Sequence, residues 1–177
     1  MLTALGLTGT CVEVGTYQGD FALQWLQSWP GQLVCVDAWQ FFDGIEDILN
    51  HPQALMEQCY VTTQERLAPF AHRCEIVRGL SVPTAQRFAE EGRTFDAVYL
   101  DAGHDVANIT ADIAAWWPLV KAGGLLAGHD YLDGLMKHGY PANFAVKSVV
   151  NAFAQAAGLP VAITTHESSP SWWISKP

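Results

Sequence analysis

The chain has 177 residues, 50% of them hydrophobic, and a formal net charge of −9 at pH 7. This length is enough for a core on both faces of a sheet, so we expect residues 1–177 to form a single domain. A nucleic-acid or anionic-lipid partner requires clustered Lys and Arg, and the nine basic residues form no cluster. The N-terminus has no basic leader and no apolar run approaches about 20 residues. We therefore expect a cytoplasmic protein that binds neither nucleic acid nor membrane.

Short apolar runs alternate with segments of helical periodicity along the whole chain. The predicted strands are Cys11–Val14, Leu33–Val36, Glu75–Arg78, Ala97–Leu100, Leu125–Ala127, Pro160–Thr165 and Trp172–Ser175. The predicted helices are Phe21–Trp29, Ala54–Leu67, Pro83–Glu91 (capped by Ser81), Val106–Val120 and Phe144–Ala156, with loops at Ala38–His51 and Leu132–Pro141. This order predicts an α/β fold with a doubly wound, mostly parallel seven-stranded sheet in three layers, ending in an antiparallel hairpin.

A glycine loop follows the first predicted strand, and an acid follows the second. Gly15 and Gly19 bracket a Thr-Tyr-Gln spacer and lead into a helix, which lets the backbone approach a ligand closely. Asp37 lies about 20 residues further on, where a carboxylate accepts hydrogen bonds from ribose hydroxyls. A plain tight turn and a solvated strand-end acid would explain each feature separately. Together they indicate a ligand that contains adenosine.

The fourth and fifth predicted strands also end in ionisable residues. Asp101 and His104 follow the fourth strand, and His129 and Asp130 follow the fifth. Ligands of open α/β sheets bind outside the carboxyl ends of the strands. We therefore expect these four side chains to lie together at one rim of the sheet, where they could carry chemistry.

Four segments resemble class I S-adenosylmethionine-dependent methyltransferases. They are Val12–Asp20, Val34–Asp37, Phe95–His104 and Lys121–Tyr131. The similarity is to a small branch that has a His after the fourth strand and Gly-His-Asp-Tyr after the fifth, and it covers nearly the whole chain. It implies methyl transfer, with S-adenosylmethionine as cofactor.

The resemblance also implies where the cofactor would lie. Its methionine part would face Glu13 and the loop from Gly15 to Gly19, including Thr16 and Tyr17. Its ribose would meet Asp37. The remaining implied cofactor contacts are Ala38 and Trp39 beside the adenine, Leu80 and Ser81 at the adenine edge, and Asp101 beside the sulfonium.

Two roles are open for the residues after the fourth and fifth strands. Related catechol-type and sugar-type O-methyltransferases hold a divalent ion there, which implies a metal on Asp101, His129 and Asp130. Two carboxylates and an imidazole suit Mn, Fe or Zn better than Mg. Without a metal, His104 or His129 is the predicted general base, because imidazole titrates near neutral pH. Asp101, His104 and His129 are thus the predicted catalytic residues, and a structural role for either histidine stays open.

The predicted reaction is O-methylation of a small-molecule acceptor, with a homodimer as one possible assembly. A nicotinamide-dependent oxidoreductase is the first alternative, although the three-glycine fingerprint of that class is missing. A non-catalytic nucleotide-binding module is the second, since little chain precedes the first predicted strand. The four cysteines, Cys11, Cys35, Cys59 and Cys74, match no zinc spacing and are expected to be reduced and structural.

Overall fold

The computed structural model describes residues 2–44, 49–135, 143–165 and 168–177. The strands are β1 Thr10–Val14, β2 Gln32–Asp37, β3 Cys74–Arg78, β4 Phe95–Leu100, β5 Val120–Gly128, β6 Asp133–Leu135, β7 Asn143–Ala145, β8 Ala162–Ile163 and β9 Trp172–Ser175. The helices are α1 Asp20–Ser28, α2 Gln53–Leu67, α3 Ser81–Glu90, α4 Val106–Trp116 and α5 Val146–Ala157. Short 3-10 turns occupy Leu2–Leu5, Ala68–Phe70 and Trp117–Leu119.

Seven strands form one sheet in the order β3-β2-β1-β4-β5-β9-β8. Strands β1 to β5 pair in parallel, and β9 runs antiparallel to both β5 and β8. The strand order reverses between β1 and β4, and the carboxyl ends of these two neighbours form the point where ligands of such sheets bind. This confirms the predicted mostly parallel sheet and its antiparallel end.

Helices cover both faces of the sheet, because the central strands are apolar on both sides. On one face, Val12, Val34 and Val98 pack against side chains from α3, α4 and α5. On the other face, Cys11 and Cys35 pack against α1 and the end of α2. Side chains alternate along a strand, so Glu13 lies on the same face as Cys11. The predicted three layers are therefore present.

Several predicted boundaries are wrong for identifiable reasons. The helix predicted to reach Val120 ends at Trp116, because Pro118 tightens the chain into a 3-10 turn and β5 begins at Val120. The helix predicted from Phe144 begins at Val146, because Phe144 pairs with Gly134 in a two-stranded sheet of β6 and β7. That pairing also places a strand within the predicted loop Leu132–Pro141.

Two further differences concern smaller features. Leu80, not Ser81, is the N-cap of α3, because the Ser81 hydroxyl bonds across to α4. The eighth strand is shorter than predicted and covers Ala162–Ile163. Parts of the two predicted loops, residues 45–48 and 136–141, lie outside the described residues.

Within the described ranges, no helix combines the length and the apolar character that a bilayer crossing requires.

Candidate active site

The loop after β1 passes close to the end of β4. The Gly15 N–H donates to the carbonyl of Val36 at 2.8 Å, and Gly15 has a φ of +93°. A Cβ atom on Gly15 would lie 2.0 Å from the carbonyl oxygen of Asp101. Gly19 ends the loop as the N-cap of α1, with a φ of 77°. Both predicted glycines are thus required by the backbone, and Gly15 joins the two halves of the site.

Asp37 holds this loop against the end of β2. Its two carboxylate oxygens accept backbone hydrogen bonds from Tyr17, at 2.8 Å, and from Trp39, at 2.7 Å. Burial raises the pKa of Asp37, while those N–H groups, the Ala38 N–H and Arg78 favour the charged form. Each oxygen keeps a second lone pair, so the carboxylate can also accept from a ligand hydroxyl.

Trp39 supports the loop from below. Its side chain is fully buried, its ring centre lies 4.8 Å from that of Tyr60, and its Nε1–H donates to the Tyr17 carbonyl at 2.6 Å. Tyr17 and Trp39 both have positive φ, at 51° and 42°, a conformation that costs about 1–2 kcal/mol for residues with a side chain. The indole thus points inward, and the half-buried Ala38 is the more accessible of the two residues predicted beside the adenine.

Glu13 is a buried acid with one unpartnered oxygen. It is 2% exposed, and neither its Oε2 atom nor the buried Thr16 hydroxyl has a hydrogen-bond partner. Burial raises the pKa of Glu13 to about 8; the Thr16 hydroxyl opposes this rise, and the Asp101 and Asp37 charges add to it. A buried unsatisfied carboxyl is costly unless a ligand satisfies it, and a cationic group would favour its ionised form.

The ends of β4 and β5 bring the four predicted ionisable residues together. The Asp101 N–H donates to the Val14 carbonyl at 2.8 Å, and the His129 N–H donates to the Leu100 carbonyl at 3.1 Å, which fixes the end of β4 beside β1 and the end of β5 beside β4. Asp101 Oδ1 lies 3.4 Å from His104 Nε2 and 3.9 Å from His129 Nδ1. The expectation that these residues share a rim with the glycine loop is confirmed.

Asp130 is the centre of this cluster. It is 7% exposed, it has a φ of 48°, and its oxygens lie 3.2 Å from His104 Nε2 and 3.4 Å from His129 Nδ1. Burial disfavours its charge, but His129, His104 and Ser169 outweigh that effect and lower the pKa of Asp130. Asp130 Oδ1 is buried and makes no hydrogen bond of good geometry. It therefore has the capacity to bind one further group.

The geometry suits a divalent ion, but the histidine closest to both carboxylates is His104 and not the predicted His129. One ligand atom each from Asp101, His104 and Asp130 lies within 4.8 Å of the other two. Asp130 Oδ1, which makes no hydrogen bond of good geometry, fits a metal ligand, and two carboxylates with one imidazole suit Mn, Fe or Zn. The predicted set contained His129, whose side chain is more exposed, at 34% against 16% for His104.

Phe144 fixes His104 and was not found from the sequence. Its ring centre lies 4.8 Å from that of His104, and the neighbouring Ala145 N–H donates to the His104 carbonyl at 2.8 Å. Phe144 and Ala145 belong to β7, which has three residues and is too short to be predicted from a hydrophobic pattern.

Leu80 and Ser81 follow β3 at the edge predicted for the adenine. Leu80 is exposed, but the Ser81 hydroxyl donates to Asp112 and accepts from Trp116 Nε1 at 2.9 Å. Burial raises the pKa of Asp112 to about 6, against the effect of the Ser81 hydrogen bond. The Ser81 side chain therefore faces α4, which leaves its backbone and Leu80 for a ligand. Asp112 was missed, although its helical spacing from Ile109 and Trp116 places it on the apolar face.

Residues 12–131 match the family model described as a methyltransferase domain. The chain belongs to the methyltransferase-domain family. This family implies S-adenosylmethionine as methyl donor, and the match spans the glycine loop, Asp37 and all four residues of the ionisable cluster. A comparison with curated proteins gives no match.

Solved structures share the fold of this methyltransferase domain at low sequence identity. An O-methyltransferase from Bacillus cereus in complex with SAH has a TM-score of 0.66 at 14% identity, and the match covers 99% of this chain and 77% of that one. An O-methyltransferase family protein from Burkholderia thailandensis has a TM-score of 0.68 at 16% identity, with 97% and 52% covered. The N-methyltransferase NodS from Bradyrhizobium japonicum WM9 has a TM-score of 0.66 at 12% identity, with 99% and 92% covered.

Proposed function

We propose that the chain is an S-adenosylmethionine-dependent O-methyltransferase that acts on a small-molecule acceptor from a single domain. The observation that carries the proposal is the meeting of two half-sites at Gly15. One half is the glycine loop with Glu13 and Asp37, and the other is the cluster around Asp130. Both lie at the strand-order reversal, so a donor and an acceptor oxygen can be held side by side.

The first half-site would hold the cofactor, which supplies an electrophilic methyl group when it is bound. Glu13 would face the ammonium group of its methionine part, because that cation would satisfy the buried Oε2 atom, which has no hydrogen-bond partner. Asp37 would accept from the ribose hydroxyls through its unused lone pairs. Ala38, Leu80 and the Ser81 backbone would border the adenine.

The second half-site would orient the acceptor and remove its proton. Asp101 and Asp130, with His104 or His129, would hold a divalent ion that makes a hydroxyl easier to deprotonate. His129 is the more exposed imidazole and would take the hydroxyl proton, with Asp130 3.4 Å from its Nδ1. Asp101 would orient both groups.

Binding of the demethylated product tests the donor half. Calorimetry with S-adenosylhomocysteine should give a dissociation constant between about 1 µM and 1 mM, the usual range for enzyme substrates. The Glu13→Gln variant should bind at least severalfold more weakly. Glu65→Gln, on the exposed side of α2, is the matched control and should bind like the wild type. If neither S-adenosylhomocysteine nor S-adenosylmethionine binds the wild-type chain, the proposal is wrong.

Transfer of a labelled methyl group tests the acceptor half. Small catechols and sugars should be offered together with Mn²⁺, Zn²⁺ or Mg²⁺, and with a chelator as the comparison. We expect transfer to a hydroxyl that depends on Mn²⁺ or Zn²⁺ more than on Mg²⁺. If methyl transfer is as fast with the chelator as with the metal ions, the metal is removed from the proposal and a histidine remains as the base.

A further inference from the structure

Two cysteines on neighbouring strands face each other behind the cofactor loop. The sulfur atoms of Cys35 and Cys74 are 3.8 Å apart. In the pairing of β2 with β3, Leu33 aligns with Cys74, and Cys35 aligns with Ile76. The two thiols are therefore diagonal neighbours on one face of the sheet. Both are reduced thiols in the structure and form no disulfide.

The two thiols differ in exposure and in acidity. Cys35 is fully buried, whereas Cys74 is half-buried and lines a cleft of about 440 Å³ together with His72, Arg73 and Arg93. The hydrogen bond between the two sulfur atoms lowers the pKa of Cys74 against the opposing effect of burial, and the Arg73 charge acts in the same direction as the hydrogen bond. A partly exposed thiol with a lowered pKa beside a second thiol is the arrangement of redox-sensing cysteines.

We propose that Cys35 and Cys74 form a reversible disulfide when the protein meets hydrogen peroxide or an organic hydroperoxide. The Cys74 thiolate attacks the terminal peroxide oxygen, the O–O bond breaks, and Cys74 becomes a sulfenic acid while hydroxide or alkoxide leaves and takes a proton from solvent. The Cys35 sulfur then attacks the Cys74 sulfur, the S–O bond breaks, and the departing hydroxide leaves as water with the Cys35 thiol proton. Two thiols lose two electrons, which reduce one peroxide, and a small-molecule dithiol reverses the change.

The position of Cys35 connects this pair to the candidate site. Cys35 aligns with Glu13 across β1 and β2, and it lies two residues before Asp37 on the same strand. Bond formation draws the Cys35 sulfur toward β3 and away from Glu13, and so displaces β2 two residues before the Asp37 that fixes the loop. The disulfide form should therefore bind cofactor more weakly. This consequence rests on the proposed function, whereas the disulfide itself does not.

Disulfide mapping tests the pair in the 177-residue chain. The protein is treated with one equivalent of hydrogen peroxide, blocked with N-ethylmaleimide, digested without reduction and analysed by mass spectrometry. We expect a Cys35–Cys74 crosslink that dithiothreitol removes. The buried Cys11 and Cys59 are controls within the same chain and should stay reduced.

Two variants separate the steps. In Cys35→Ser the reaction should stop at the sulfenic acid, so dimedone should label Cys74. In Cys74→Ser, a milder change at a half-buried position, Cys35 should stay reduced at the same peroxide dose. Crosslinks of Cys11 or Cys59 at equal yield, or dimedone labelling of residues other than Cys74, would overturn the proposal.

Calorimetry with S-adenosylhomocysteine tests the consequence. We expect the oxidised wild type to bind at least threefold more weakly than the reduced form, with recovery after dithiothreitol, and Cys74→Ser to be insensitive to peroxide. Equal affinity of the two forms would overturn the link to the site. If the reduced protein does not bind at all, the proposed function fails, while the mapping result still decides whether the redox pair exists.

Discussion

The two ends of the parallel strands differ in whether their buried polar groups have hydrogen-bond partners. At the amino end, Asp96 of β4 is 8% exposed, and its oxygens receive the Lys121 ammonium and the Gly9 N–H, each at 2.6 Å. Arg73, at the same end, donates to the carbonyls of Leu26, Trp29 and Gly31. These polar groups satisfy one another.

At the carboxyl end, several buried polar groups are not satisfied by the protein. In the described part of the chain, buried side-chain oxygens without a hydrogen-bond partner occur on Glu13, Thr16 and Asp130, and all three residues lie at this end. Each such group costs about 1–3 kcal/mol. The comparison teaches that one end is complete as folded, whereas the other lacks groups that a cofactor, a metal or an acceptor can provide.

The largest expected contrast compares the one acid of β4, Asp96, with the acid that follows the strand, Asp101. Asp101→Asn should lower kcat by about 10²–10⁴-fold on an acceptor found by labelled transfer, with little change in Tm, because Asp101 belongs to the incomplete end. Asp96→Asn should lower stability by about 1–3 kcal/mol and leave kcat near the wild-type value. Steady-state kinetics and thermal unfolding measure both. Unchanged turnover in Asp101→Asn would remove this residue from the mechanism.

The close approach of the two half-sites can be broken at Gly15. Gly15→Ala should cost about 2–5 kcal/mol, from the positive φ and from the clash with the Asp101 carbonyl, and should abolish binding of S-adenosylhomocysteine. Gly92→Ala is the matched control, because Gly92 has a φ of +69° with no neighbour within 4 Å of the added Cβ. It should cost only about 1–2 kcal/mol and bind normally. Equal losses in both variants would show that the close approach is unimportant.

The burial of Glu13 predicts a pH dependence of stability. Its pKa in the fold is about 8, above the ordinary 4.5, so the unfolded chain ionises first as pH rises. The stability it contributes is complete below the unfolded pKa and is lost as pH rises toward 8. Denaturant unfolding should therefore show the wild type losing about 2–3 kcal/mol relative to Glu13→Gln between pH 5 and pH 7.

The control for this experiment is Glu65→Gln, whose side chain is exposed on α2. Its stability difference from the wild type should stay flat over the same pH range. A flat difference for Glu13→Gln as well would mean that Glu13 is ionised and satisfied in the fold.

The strand ends were predictable because they follow from short-range pattern. Apolar runs gave β1, β2, β4 and β5, and parallel pairing then brought Glu13, Asp37, Asp101 and Asp130 to one rim. Which histidine lies nearer both carboxylates was not predictable. His104 is held under Phe144 by the pairing of β6 with β7, and Gly134 opposite Phe144 carries no signal of that contact.

The end of a helix inside a periodic segment was also not predicted. Helical spacing continues through Trp117 to Val120, but Pro118 and the pairing of Val120 with Phe95 end the helix earlier. The partner of Asp112 was not predictable either. One acid on the apolar face of a helix gives no sequence signal that it binds Ser81, 31 residues away.

The smallest expected effect concerns this Asp112, as a positioning residue for the adenine edge. Asp112→Ala leaves the Ser81 hydroxyl without its acceptor, should cost about 1–3 kcal/mol, and should weaken S-adenosylhomocysteine binding severalfold by loosening Leu80 and Ser81. Asp112→Asn keeps an oxygen that can accept from Ser81, so at pH 7 it should bind like the wild type. A merely structural role would lower stability in Asp112→Ala without moving the affinity of the folded protein. A rise in KM for S-adenosylmethionine at constant kcat, rescued by Asn, would instead place Asp112 behind the cofactor, at the incomplete end of the sheet.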